Sequence, residues 1–135
     1  MNKRLLVVLS ICFVVAAGIA LYVWASGCCS GDPLCNGSAT KVVGEGCYYD
    51  FEVYLDRDCV DTTTVRLKIR EHGTGNFSAY MCLIMEEPPY NQCVRYGVRL
   101  QLDPDKEYDY YFETASGCSG RDPDAGVVLL SPACN

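Results

Sequence analysis

The fold is decided by residues 98–117, which read VRLQLDPDKEYDYYFETASG. Apolar residues alternate with polar ones on both sides of a central turn, at Val98, Leu100 and Leu102 and then at Tyr108, Tyr110 and Phe112. Alternation with a period of two indicates strands that bury one face. Asp103-Pro104-Asp105 suits the turn, because proline fixes φ and aspartate bonds to nearby backbone N–H groups. The stretch therefore predicts two strands joined by a turn.

The rest of the chain beyond residue 40 also reads as strands. Alternation predicts strands over 47–55, 65–69 and 94–102, and a short last strand is expected at 127–130. Residues 80–85 form a continuous apolar run, which fits a strand buried on both sides or a rim strand covered by a loop. Helical periodicity is lacking, so about seven short strands predict an all-β antiparallel sandwich.

These strand motifs resemble the immunoglobulin-like or fibronectin-III-like β-sandwich modules of archaeal and bacterial surface proteins. The likeness covers roughly residues 41–130 and is carried by Y-x-F-x-V-x-L-x-R-D at 49–58, L-x-P at 102–104 and Y-x-Y-Y-F-E at 108–113. It implies that Pro104 and Tyr108 form a corner in which the tyrosine hydroxyl bonds back to the backbone. The alternative is that Tyr108 is a core aromatic residue of another hairpin. The chain departs from the module because Cys59 lies in its acidic loop and because the module stands alone.

The N-terminal segment predicts an apolar helix that holds the domain at a membrane. Lys3 and Arg4 precede a stretch, 5–25, without charge that is long enough to cross ~30 Å of hydrocarbon. Residues 1–27 are thus expected to be a signal peptide or a transmembrane anchor. Cys28 follows small residues, as in a lipoprotein box, so lipidation of Cys28 is the alternative anchor. Residues 28–40 are expected to be a tether, in which Cys29 and Cys35 could close a small loop, and 41–135 to be the sandwich.

The chain has ten cysteines, a density typical of oxidising compartments. A hairpin centred on the Glu-Glu-Pro-Pro turn at 86–89 would place Cys82 opposite Cys93, at the separation that a disulfide needs. A disulfide between Cys118 and Cys134 is the next expectation. The sequons at Asn36 and Asn76 predict glycosylation. Together these features predict a location on the extracellular face of the membrane or the cell surface.

Charge and motif content exclude several classes of function. The net charge of −6 argues against binding nucleic acid by neutralising phosphates. The chain lacks the nucleophile elbow, zincin and phosphate-loop motifs, so no catalytic residues, metal or cofactors are predicted. His72 is interpreted as a solvated turn residue, and Asp56, Asp58 and Asp61 as a solvated turn rather than a calcium site.

The predicted function is non-enzymatic: adhesion, envelope structure or extracellular assembly. Three tyrosines are expected to point outwards: Tyr48, Tyr54 and Tyr111. They could form one aromatic face for a protein or glycan partner, or serve only as cross-strand pairs. One alternative is a subunit of a pilus-like filament, with self-assembly. The other, a small-ligand carrier or enzyme, is disfavoured.

Overall fold

The computed structural model of the protein describes Cys29 and residues 31–44, 46–86 and 93–134. Strands and loops account for these residues, with a short 3₁₀ turn at Arg57–Cys59. The strands are β1 (Leu34–Lys41), β2 (Tyr48–Asp56), β3 (Thr64–Glu71), β4 (Ser78–Met81), β5 (Leu83–Glu86), β6 (Cys93–Gln101), β7 (Tyr108–Ser116), β8 (Arg121–Asp122) and β9 (Val128–Leu130).

The strands form two antiparallel sheets, which confirms the predicted all-β sandwich. Sheet A has the order β1-β2-β6-β5, and sheet B has the order β4-β3-β7-β8, with β9 also paired to β7. The described residues hold nine strands instead of the expected seven or so. The apolar run is divided at Cys82 into β4 and β5, the last part of the chain is divided into β8 and β9, and β1 lies in the segment expected to be a tether.

The core lies between the sheets, where the predicted alternation puts apolar side chains. In β2 and β3 every second residue is buried, β7 buries Tyr110 and Phe112 on the same side, and Phe51 and Phe112 are fully buried. The ring of Tyr110 contacts Phe51 edge to face, with 5.1 Å between the ring centroids. Each buried phenylalanine contributes ~1.5–3 kcal/mol through the hydrophobic effect, so this aromatic cluster is a main stabilising element of the sandwich.

The chain passes from sheet A to sheet B between β6 and β7, at the turn on which the sequence analysis started. The Tyr108 hydroxyl accepts a hydrogen bond of 3.1 Å from the backbone N–H of Asp103, and the Asp103 carboxylate accepts one of 3.0 Å from the N–H of Asp105. These are the bonds expected of a corner with Pro104 at its centre. Tyr108 therefore fixes the connection between the two sheets.

The segment expected to be a tether is largely part of the sandwich. Leu34–Lys41 forms β1 and pairs with β2 from Leu34↔Leu55 to Lys41↔Tyr49. The sequence pattern does not predict this strand, because its side chains are mostly small and polar and only Leu34 is fully buried. An edge strand of this kind is held by its backbone ladder more than by its side chains.

Three disulfides join cysteines of the described residues. The expected Cys29–Cys35 bond is present, and the others are Cys47–Cys134 and Cys59–Cys118. Such bonds fit an oxidising environment.

The predicted Cys118–Cys134 disulfide is wrong because the two cysteines lie at different places in the sandwich. Cys118 follows β7 and donates its backbone N–H to the Thr63 hydroxyl, 2.9 Å away. Cys134 follows β9, where the N–H of Ala133 bonds to the Tyr49 hydroxyl at 3.0 Å. Cys118 is therefore bonded to Cys59, and Cys134 is bonded to Cys47.

The predicted Cys82–Cys93 disulfide is wrong as well, because the hairpin has another register. Leu83 pairs with Gly97 and Ile84 with Tyr96, so the ladder is not centred on the two prolines. Cys82 is still attached to sheet B, because its N–H bonds to the Val65 carbonyl of β3 at 2.9 Å, and the chain joins sheet A only from Leu83 onwards. Cys82 is a free, buried thiol, whereas Cys93 is in a disulfide with another cysteine.

The predicted anchor lies outside the described residues. This holds for the apolar helix over residues 1–27 and for the lipidation of Cys28. Within the part of the chain that the structure describes, no helix has the length and apolarity to cross a membrane.

Candidate functional site

The most unusual surface of the molecule is an edge strand that changes sheets. Residues 78–86, named the crossover edge from here on, pair with β3 through β4 and with β6 through β5. The change occurs at Cys82, whose side chain is 3% exposed. Burial raises the pKa of this thiol to about 12, so Cys82 anchors the edge to the core as a neutral thiol.

Around Cys82 the crossover edge exposes its large apolar side chains. Leu83 is 67% exposed and Met81 is 55% exposed; the other members are Tyr80, Ile84 and Met85. A charged residue appears only at the end of the edge, at Glu86. Exposed edge strands of soluble proteins are usually protected by charges or proline, and contiguous apolar patches mark interaction sites. The crossover edge is therefore the candidate functional site.

The apolar run 80–85 was expected to be buried on both sides or covered by a loop. In the structure these residues lie on the outer edge of both sheets with nearly all side chains open to solvent. Hydrophobicity alone does not reveal what covers a strand, which is why the sequence interpretation failed here. Two features of the sequence could have indicated an exposed apolar edge: the apolar run does not alternate, and residues 73–85 contain no charge.

A cleft opens beside the crossover edge, between the two sheets. It has a volume of about 290 Å³. Its lining is mixed, with apolar and aromatic residues, which include Ile69, Leu102 and Tyr80, beside polar ones, which include Arg70 and Gln101. The cleft therefore places both apolar and polar side chains next to the crossover edge.

A second, acidic cleft lies on the other side of the sandwich. Its lining includes Asp32, Asp122 and Asp124, beside the sequon residue Asn36. A hydrogen bond with Asp124 raises the pKa of Asp32, and burial and the charges of Asp124 and Asp122 act in the same direction. Among the residues that the structure describes, no group of acidic, histidine or cysteine side chains has the arrangement of a metal site.

On the outer face of sheet B, two aromatic rings that contact each other lie between two arginine side chains. The guanidinium of Arg70 lies 4.3 Å from the centre of the Phe77 ring, and that of Arg121 lies 3.9 Å from the centre of the Tyr111 ring. The two rings meet edge to face at 5.1 Å. These contacts stabilise the face by cation–π attraction and cover one side of each ring.

His72 has a partner that the sequence did not show. Its Nδ1 lies 2.7 Å from one carboxylate oxygen of Asp109, and Arg70 donates to the other at 3.1 Å. Asp109 is buried, which alone would raise its pKa, but the hydrogen bonds from His72 and Arg70 outweigh burial and lower it. The His72 ring is half exposed and, among the described residues, its hydrogen bond goes to Asp109. The arrangement is an ion-pair network on the sheet surface.

The three predicted interface tyrosines do not share a face. Tyr48 and Tyr54 alternate with the buried residues of β2 and lie on the outer face of sheet A. Tyr111 lies on the outer face of sheet B. Period-two alternation tells which residues point outwards, but it does not tell to which sheet a strand belongs.

The fold is similar to that of a carbohydrate-binding module. The solution structure of the carbohydrate-binding module of the muscle glycogen-targeting subunit of protein phosphatase-1 matches with a TM-score of 0.55 and 5% sequence identity. The match covers 76% of this chain and 78% of that chain. At this identity the likeness concerns the fold alone. No family model matches the chain, and the search of curated proteins finds no significant relative.

The remaining predicted site residues are the sequons. Asn36 is exposed in β1, where it has a φ of 54°, and Asn76 is exposed in the loop before β4. Both side chains are open to solvent, as an acceptor of glycan must be, and their glycosylation stays a prediction.

Proposed function

We propose that the protein is a non-enzymatic extracellular domain of immunoglobulin-like topology that acts in assembly by binding a protein through the crossover edge. The topology is supported by the strand order, because β1-β2-β6-β5 corresponds to the A-B-E-D sheet of immunoglobulin constant domains, and β3 and β7 correspond to C and F. An extracellular setting is supported by the disulfides.

One observation carries the binding role, namely the exposure of apolar side chains along residues 80–85. The edge offers two kinds of contact to a partner. Its outer backbone groups can extend a β-ladder, and its side chains can be buried against a complementary apolar surface. A stable soluble domain gains nothing from leaving such a strand bare, since unprotected edges promote aggregation.

Carbohydrate binding, which the name of the structural neighbour states for that protein, is not part of the proposal. Aromatic residues of this chain that lie on the outer face of sheet B have an arginine over their rings. A sugar would have to displace these guanidinium groups before it could stack on Phe77 or Tyr111.

Site-specific photo-cross-linking tests the proposal in cells that make the full chain. A photo-reactive benzoyl-phenylalanine replaces Leu83 in one variant and Val43 in a matched control. Val43 is 99% exposed and lies in the loop before β2, so it is at least as accessible but away from the edge. We expect a protein adduct from position 83 and none from position 43. Equal yields at the two positions, or no adduct at position 83, would contradict the proposed function.

A further inference from the structure

We infer that the partner at the crossover edge is a second copy of this chain, which presents its β9 edge, so that copies join head to tail. This inference rests on the proposed function and names its partner. The contact would continue sheet B from β9 of one copy into β4 of the next.

The molecule has a second exposed apolar edge on the opposite side of sheet B. Strand β4 is the edge strand at one end of sheet B, and β9 lies at the other end, where it pairs with the side of β7 that faces away from β3. Leu129 is 53% exposed, and Val127 and Val128 are 39% and 37% exposed. The described residues contain no strand paired to the outer side of β9. Both ends of sheet B therefore carry an exposed apolar strand, β4 at one end and β9 at the other.

The distribution of charge singles out the same two edges. Residues 73–85 and 125–135 are the longest stretches beyond residue 41 without a charged side chain. The chain has a net charge of −6, so copies repel one another over most of their surfaces. Association between identical acidic chains is favoured where charges are absent from both partners, and these two stretches contain the exposed strands β4 and β9.

Strand direction permits the contact without inverting a copy. Along the path β4-β3-β7-β9 each strand is antiparallel to its neighbour, so β4 and β9 run in opposite directions. A second copy shifted sideways therefore meets β9 with an antiparallel β4, the pairing that allows a regular ladder.

Side-chain orientation supports the same pairing. Met81 is in register with Arg66 and Leu129 with Asp109, and both partners point to the outer face of sheet B. Met81 of one copy and Leu129 of another would hence meet on one face as a cross-strand apolar pair.

Symmetry then decides the form of the assembly. Contact between two different patches is heterologous and, unless the rotation between copies closes a ring, it continues into an open filament. A two-fold dimer through β4 alone would cover the crossover edge but would leave Val127–Leu129 exposed, so it explains only one of the two edges.

Cysteine cross-linking of full chains distinguishes these arrangements. One preparation carries Met81→Cys and another carries Leu129→Cys, with Ala79→Cys as a second β4 position because Ala79 also faces outwards opposite Lys68. Opposed residues of an antiparallel ladder lie ~4.5–5.5 Å apart, within the range for a disulfide. We expect mixed dimers when a β4 variant and the β9 variant are combined under mild oxidation. Val43→Cys, which is equally able to form disulfides but lies in a loop, should give none.

The double variant Met81→Cys/Leu129→Cys should form a ladder of covalent dimers, trimers and longer species on non-reducing gels. Dimers from Met81→Cys alone would overturn the inference in favour of two-fold pairing, and absence of mixed products from both β4 positions would overturn it outright. An adduct from position 83 that contains a different protein would also overturn it, yet would leave the proposed function standing.

A substitution in trans gives an independent test. A tagged copy with the photo-reactive residue at position 81 is mixed with an excess of untagged copies that carry Leu129→Lys. Positions 81 and 129 lie at opposite edges of sheet B. The lysine on an untagged copy can therefore change the yield of adduct only through a contact between copies. We expect loss of most of the adduct relative to untagged wild-type copies, and an unchanged adduct would refute the head-to-tail contact.

Discussion

Replacement of Asp109 by asparagine tests whether the ion-pair network on sheet B stabilises the fold. Asp109 is 2% exposed and receives hydrogen bonds from His72 and Arg70 on its two oxygens. Asparagine has nearly the same volume, so Asp109→Asn leaves the packing in place. It removes the negative charge and replaces one acceptor oxygen by an NH₂ group, which cannot accept a hydrogen bond.

The size of the effect follows from these two bonds. A hydrogen bond to a charged group contributes ~1.5–3 kcal/mol and a neutral one ~0.5–1.5 kcal/mol. Asparagine keeps one bond, which then ends on an uncharged oxygen, and loses the other. The side chains of Arg70 and His72 are 26% and 54% exposed, so solvent screening reduces the loss. We expect Asp109→Asn to lower the free energy of unfolding by about 2 kcal/mol.

Urea unfolding measures this difference against a matched control, Asp50→Asn. Asp50 pairs with Arg99 across β2 and β6, as Asp109 pairs with Arg70 across β3 and β7. The Asp50 pair is more exposed, with side-chain exposures of 23% for Asp50 and 56% for Arg99. Exposed pairs contribute ~0.2–1 kcal/mol. A cost for Asp109→Asn that does not exceed the cost for Asp50→Asn would refute the reasoning.

The pH dependence has a defined sign. Burial opposes ionisation of Asp109, but the bonds from His72 and Arg70 outweigh it and lower the pKa of the folded state below the usual value. The stabilisation is complete above the unfolded pKa and is lost as pH falls through the folded pKa. The cost of Asp109→Asn should therefore be greatest near neutral pH and should shrink below pH ~4.

Three further outcomes follow from the fold. Tyr108→Phe removes the acceptor for the Asp103 N–H and should cost ~1 kcal/mol in urea unfolding; an unchanged midpoint would mean that the corner bond contributes nothing. Gly117→Ala should cost far more than Gly73→Ala. Both glycines have positive φ, of 76° and 82°, but only at Gly117 would a Cβ lie 2.3 Å from the Thr62 carbonyl oxygen, whereas strain alone is worth ~1–2 kcal/mol. Peptide mapping after alkylation should find Cys82 unmodified in the native protein and modified after unfolding, because the thiol is buried and its pKa is about 12.

Sequence patterns were sufficient wherever neighbours along the chain determine the structure. Alternation gave the buried faces of β2, β3 and β7, and Pro104 with Tyr108 gave the corner, since both signals lie within one strand or turn. Disulfide pairing and the sheet membership of Tyr111 depend on which strands meet in space. Local spacing does not contain that information, so the Cys82–Cys93 bond and the single tyrosine face were wrong.

The exposure of the crossover edge was not predicted from the sequence for a different reason. Hydrophobic runs are assigned to the interior on the assumption that one chain buries its own apolar residues. Leu83 and Met81 break that assumption, because they lie where the strand leaves one sheet for the other and has no further strand beyond it in the described residues. In a chain that associates with its own copies, the same hydrophobic signal marks an interface.

The two edges of the proposed contact are held in the fold in different ways. Strand β9 ends at Leu130, and Cys134, which follows closely, is tied to Cys47 at the start of β2. The crossover edge holds no disulfide, because its cysteine is a free thiol and the edge is fastened through its ladders and the bond from the Cys82 N–H to Val65. The β9 edge is therefore held by a disulfide close to it, whereas the crossover edge is held by its two ladders and the burial of Cys82. A rigid surface loses little entropy on binding.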